Sequence, residues 1–189
     1  MMTNIRRFAC WVSILLAAAT LSRAGDVHQA AALGDFDKLK GILERRPELV
    51  SSKDLRGWQP IHHAAFSGKT NVVELLLSYK ADINAKLDER HPEGPLNFTP
   101  LHMATRYGRL EVVRFLCEKG ADLEAKDVWD QTPFFVASLE GNIEIMKVLV
   151  EFKCDVNPKN KLGKTPLRRA LEAEKRKVIE FLRSNGGQE

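Results

Sequence analysis

TPLHMATRYGRLEVVRFLCEKGADLEAK, Thr99 to Lys126, carries two helix signatures in tandem. Thr99 can offer its hydroxyl to the first unpaired amides of a helix. Pro100 suits the first helical position, where its missing N–H costs nothing. Beyond Gly108, the apolar residues Val112, Val113, Leu116 and Cys117 fall at helical spacing. The residues in front are of another kind. Pro92, Gly94 and Pro95 lie so close together that they read as loop and turn.

The same pattern recurs along the chain. QPIHHAAFSG (Gln59–Gly68), TPFFVASLEG (Thr132–Gly141) and TPLRRALEAE (Thr165–Glu174) align with TPLHMATRYG. The intervals from Pro60 to Pro100, Pro133 and Pro166 are 40, 33 and 33 residues. HQAAALG at His28–Gly34 lies 34 residues before His62–Gly68. Each copy runs on into a second apolar stretch, such as TNVVELLLSYKADINAK and NIEIMKVLVEFKCDVNPK. A period in the low thirties with two short helices and a turn per unit signals a stacked solenoid.

The pattern resembles the ankyrin repeat from Asp26 to about Gly187. TPLH, the glycine after the first helix, V-V-x-L-L-L and G-A-D-x-N-A recur in that order. The resemblance implies an all-α solenoid of stacked helix-turn-helix units with β-turn fingers. Three full repeats stand between two caps, at about 26–53, 54–86, 87–126, 127–159 and 160–187. Lys80 and Lys153 replace the glycine that ends helix two, at a left-handed position, each costing up to about 1 kcal/mol. Gln59 replaces the capping threonine, and Phe135 and Arg168 replace the histidine. The first unit lacks Thr-Pro and the last has a charged second helix, as terminal repeats with a wettable outer face require.

Residues 1–24 have the three-part form of a secretory signal. MMTNIRR is basic, FACWVSILLAAATL is an apolar run of 14, and Ser22 and Ala24 are the small residues before cleavage after Ala24. A membrane-spanning helix would need about 20 apolar residues. Cys10 precedes the apolar run, whereas a lipidated cysteine should follow it. The expected location is therefore periplasmic or secreted.

Arg6, Arg7 and Arg23, with no acid beside them, account for all but +1 of the formal charge of +4. What remains is uneven. From Lys159 to Arg183 there are nine basic residues against Glu172, Glu174 and Glu180. Such a terminus suits either a solvated cap or weak contact with an anionic membrane surface. No nucleic-acid-binding signature accompanies it, so no nucleic acid is expected as partner.

His28, His62 and His102 occupy one slot in consecutive units, where the resemblance implies a structural histidine tying neighbouring loops together. Stacked helices lie about 8–10 Å apart, too far for equivalent side chains to share a metal through bonds of about 2 Å. No metal or cofactor is expected. The chain has no Gly-rich phosphate loop, no G-x-S-x-G and no H-E-x-x-H, and its recurrent Asp82, Asp122 and Asp155 mark scaffold rather than an acid/base pair. No enzyme is expected. Cys117 and Cys154 take packing positions in adjacent units and read as buried thiols, with a disulfide as the alternative.

The resemblance implies that turn tips and the exposed side of each first helix bind protein. Those slots hold Leu55, Arg56 and Trp58 in one unit, Asn97 and Phe98 in the next, and Val128, Trp129 and Gln131 in the third. Phe66, Ser67, Arg106, Tyr107 and Leu139 fill the helix slots. Aromatics and arginine gathered on a groove have the composition of a binding hot spot. On this reading Trp58, Phe98 and Trp129 are exposed and their loss costs little stability. The alternative is that Trp and Phe pack along the fingers and stabilise them.

The 40-residue interval holds seven extra residues between Lys86 and Thr99. They lengthen the second finger, bringing Arg90, His91 and Glu93 to the groove, because insertions in repeat proteins map to loops on one face. A tolerated surface insertion is the alternative, since longer loops cost little. The expected function is a monomeric extracytoplasmic module binding a protein partner through groove and fingers, as inhibitor, immunity factor or assembly partner. The other reading is a structural or envelope-associated scaffold resting on its basic cap.

Overall fold

The computed structural model describes residues 26–87 and 96–189. The expected export signal and the inserted residues 88–95, with Arg90, His91 and Glu93, lie outside the described residues. Helix α1 covers 26–33 and α2 Phe36–Arg45, followed by a 3₁₀ turn at Pro47–Ser51. Four pairs follow: α3 (Pro60–Ser67) with α4 (Thr70–Ser78), α5 (Pro100–Arg106) with α6 (Leu110–Glu118), α7 (Pro133–Glu140) with α8 (Ile143–Glu151), and α9 (Pro166–Glu172) with α10 (Arg176–Ser184). Among the described residues there is no strand.

The caps explain where the first helix of each pair begins. Thr99, Thr132 and Thr165 accept from the backbone N–H of His102, Phe135 and Arg168, at 3.4, 3.3 and 3.2 Å. A proline opens α3, α5, α7 and α9. At the other end of each unit, Lys80 (φ 68°), Gly120 (φ 80°) and Lys153 (φ 64°) all take the left-handed conformation. The two lysines therefore carry the strain expected of a side chain where glycine is easiest.

Packing then arranges the pairs. Helices α3, α5, α7 and α9 stack in one row, and α2, α4, α6, α8 and α10 in a second. Val72, Val73 and Leu76, Val112, Val113 and Leu116, and Ile145, Met146 and Leu149 are buried between the rows. The terminal α10 buries only Val178 and Leu182 and leaves its charged side to water.

The histidine slot works as the resemblance implied. His62 Nε2 meets the Ala85 carbonyl at 2.8 Å, and His102 Nε2 meets the Gln131 carbonyl at 3.0 Å. A carbonyl can only accept, so Nε2 carries the proton and Nδ1 is left to accept. It accepts from the backbone N–H of Gln59 at 3.1 Å and of Thr99 at 3.3 Å. His28 Nε2 reaches the Ser52 carbonyl at 2.9 Å in the same way. Burial pulls the pKa of His62 and of His102 from 6.5 down to about 4, outweighing the carbonyls that favour their charged forms.

A second ladder was not foreseen. The residue opening α6, α8 and α10 reaches back to the preceding unit: Arg109 Nε donates to the Phe66 carbonyl at 2.8 Å, and Asn142 Nδ2 to that of Thr105 at 3.3 Å. Lys175 Nζ donates to the Leu139 carbonyl. These carbonyls end helices α3, α5 and α7, where no further turn can pair them. Arginine, asparagine and lysine look unrelated in sequence, which hid the common role.

Candidate functional site

The fingers are shaped by one device used three times. Asp54 Oδ1 accepts from the N–H groups of Arg56 and Trp58 at 2.8 and 2.9 Å. Asp127 Oδ1 does so for Trp129 and Gln131, both at 2.8 Å, and Asn160 Oδ1 for Leu162 and Lys164, both at 3.0 Å. Such side-chain-to-backbone bonds fold a tight turn without a strand. Neighbouring fingers are then joined through the backbone. The Val128 N–H donates to Leu96 O at 3.2 Å, and the Lys161 N–H to Trp129 O at 2.9 Å.

Asp54 and Asp127 differ in their second oxygen. His63 Nε2 lies 2.9 Å from Asp54 Oδ2, while Val136 stands at the matching place on α7 and Asp127 Oδ2 is buried without a partner among the described residues. Burial disfavours the Asp54 carboxylate, but hydrogen bonds from the Trp58 N–H, His63 and the Arg56 N–H outweigh it and hold its pKa below the ordinary value. For Asp127 burial wins, and its pKa is raised.

The aromatics stand differently from expectation. Trp129 and Tyr107 are open to solvent, 44% and 43% exposed. Trp58 and Phe98 are only 7% and 2% exposed and belong to the core. This corrects the sequence reading of both as exposed groove residues. Each sits at the base of its finger, where it closes onto the first helix of its unit. The Trp58 ring packs 5.0 Å from His63 and 5.8 Å from Phe66, and Phe98 stacks on His102 at 5.5 Å with 8° between planes. The expectation that losing them costs little stability falls with it.

The remaining positions form a surface around these two. Phe66 meets Tyr107 edge-on at 4.4 Å, linking α3 to α5, and Trp129 meets Phe98 edge-on at 6.5 Å. Arg106 is exposed and carries its guanidinium carbon 5.5 Å from the Phe98 ring centre. Together Trp58, Leu96, Phe98, Met103, Arg106, Tyr107 and Trp129 line an open recess of about 110 Å³. Arg56 is exposed at the first fingertip, while Gln131 and Leu139 are half-buried outside the recess lining. Met103 was missed, while Leu96 ends the lengthened finger expected over the groove. Met103 shares its register with His63, Val136 and Arg169, a column whose side faces the groove, and that register was the available signal.

Among the described residues no group of three or more His, Cys, Asp and Glu is placed to hold a metal ion. Cys117 and Cys154 are free thiols, both buried. Burial pushes their pKa values up to about 11 and about 12.

A family model described as ankyrin repeats in three copies matches residues 27–127 and 125–189. The chain belongs to the ankyrin-repeat family. Among its relatives, ankyrin repeat and SAM domain-containing protein 6 of Rattus norvegicus is 34% identical over 101 residues, 53% of this chain and 11% of that protein. Probable 26S proteasome regulatory subunit p28 of Saccharomyces cerevisiae is 32% identical over 93 residues, 49% of this chain and 39% of its own. Protein phosphatase 1 regulatory subunit 27 of Homo sapiens is 30% identical over 92 residues, 49% of this chain and 55% of its own. The ankyrin chain thus spans about half the length of one of these relatives and less of the others. The ankyrin fold is generally a non-catalytic interaction module.

Proposed function

We propose that this ankyrin-repeat protein binds a protein partner on the face formed by the fingers and the first-helix row. The observation that carries the reading is the pair of exposed aromatics, Trp129 and Tyr107, packed edge-on against buried Phe98 and half-buried Phe66 beside an exposed arginine. Large side chains fixed in place bury apolar area on docking with little rotor entropy to lose. Relatives whose names mark them as regulatory subunits of a proteasome and of a phosphatase support a binding role. An inhibitor, immunity factor or assembly partner is the form it takes in this reading. The protein acts outside the cytoplasm, on the strength of residues 1–24, and N-terminal sequencing of exported material tests that by finding Gly25 first.

The scaffold reading through the basic cap is weaker. Three of its cations, Lys164, Arg168 and Arg169, already lie within 2.7–3.4 Å of the single carboxylate of Glu172. Affinity capture from the source organism, repeated with Trp129→Ala and Tyr107→Ala, decides between the two. A stoichiometric partner lost from both variants, with unfolding temperature unchanged, supports the groove. A partner retained by both refutes it.

A further inference from the structure

We propose that the recess beside Arg106 receives one apolar side chain of a partner segment whose neighbouring residues are acidic. This rests on the protein-binding reading and adds the chemistry of the partner. The recess holds about 110 Å³. Cofactor and drug-sized sites run to about 300–1,000 Å³, and a cavity of about 150 Å³ holds benzene. An open recess of this size walled by Trp58, Phe98, Met103, Tyr107 and Trp129 therefore takes one branched aliphatic side chain, or an aromatic ring with part of it left outside, and not a small-molecule cofactor.

Two of its polar features are donors. Arg106 is exposed and forms no ion pair among the described residues, and the buried Nε1 of Trp58 has no acceptor there. The carboxylate on the first finger is not available to Arg106, because both Asp54 oxygens are engaged by backbone N–H groups and His63. Further cations lie along the same face. Arg56 and Lys161 project from fingertips without ion pairs among the described residues, and Lys164, Arg168 and Arg169 converge on Glu172 alone, with Glu189 3.6 Å from Arg168. Among the described residues Asp127, Asp130 and Glu140 are further acids of these fingers and helices, and Asp127 feels the charge of Arg106 without forming an ion pair with it. A partner carboxylate beside the inserted side chain gains a charge-assisted bond to an unpaired guanidinium, whereas a lysine there meets like charge.

Three fluorescein-labelled peptides in a glycine–serine background test this on the full chain by anisotropy. One carries phenylalanine flanked by glutamates, one phenylalanine flanked by lysines, and one alanine flanked by glutamates. The first should bind at least tenfold more tightly than either of the others. Arg106→Glu should reverse the order of the two phenylalanine peptides, with its thermal unfolding unchanged because the side chain is exposed. Equal binding of those two peptides by the wild type, or an order untouched by Arg106→Glu, overturns the inference. If both bind equally and both are lost from Tyr107→Ala, the groove survives and its acidic partner does not. Failure of every peptide removes the recess inference, while the groove itself is judged by the capture experiment. Tighter association with phosphatidylserine vesicles than with the phenylalanine–glutamate peptide also overturns it.

Discussion

Acidification from pH 7 to pH 5 should remove about 4 kcal/mol of folding stability through two histidines. In the unfolded chain His62 and His102 titrate near 6.5, but in the fold they resist protonation down to about 4. Between those values the unfolded state binds protons that the folded state refuses, so stability falls as pH falls. Above pH 6.5 both states are neutral and the contribution is complete. At pH 5 each imidazole is nearly all charged when unfolded and nearly all neutral when folded, a loss of about 2 kcal/mol apiece at 1.36 kcal/mol per pK unit. His63, also lowered by burial, acts in the same sense. Asp127 and Glu124, raised by burial, act in the opposite sense close to their own titration range. Urea unfolding followed by circular dichroism at pH 7, 6 and 5, at fixed ionic strength, measures the sum. The double variant His62→Gln with His102→Gln should start less stable at pH 7 and lose little more by pH 5. A wild type that loses under about 1 kcal/mol, or a double variant with the full wild-type dependence, refutes the assignment of these histidines as neutral loop ties.

Trp58→Ala should cost about 3–5 kcal/mol in urea unfolding, as for other buried aromatics, while Trp129→Ala costs under about 1 kcal/mol. Equal costs would contradict the division between finger base and exposed face. Arg109→Leu should lose about 1 kcal/mol by removing a donor from the last carbonyls of α3, read by the same assay. Cys117 and Cys154 should resist alkylation at pH 8 in the native protein, because thiols titrating near 11 and 12 hold few thiolates and both are buried. Peptide mapping after iodoacetamide checks this; rapid modification of either residue in folded protein would refute it.

The solenoid was legible because each repeat spells out its own start. Thr-Pro marks the cap, the histidine slot marks the loop tie, and V-V-x-x-L marks the buried stripe; three copies in register remove the ambiguity of any one. The left-handed lysines were readable for the same reason, since only register shows that Lys80 and Lys153 stand where Gly120 does. The site was less legible. Whether an aromatic at a finger base faces water or folds back onto its own helix depends on the turn's path, which Asp54 sets for Trp58 through bonds that the one-letter pattern does not display. The inter-repeat ladder of Arg109, Asn142 and Lys175 was hidden because three different side chains deliver the same N–H donor.

The central claim is that a partner docks on the groove face. A photo-reactive phenylalanine analogue placed singly at Tyr107 or Trp129, on that face, or at Glu111 or Glu144, on the second-helix row, tests it in the presence of the captured partner. All four positions are exposed, so none of the replacements should unfold the chain. Covalent adducts from positions 107 and 129, with none from 111 and 144, are the expected result. Adducts from the second-helix row alone would contradict the account.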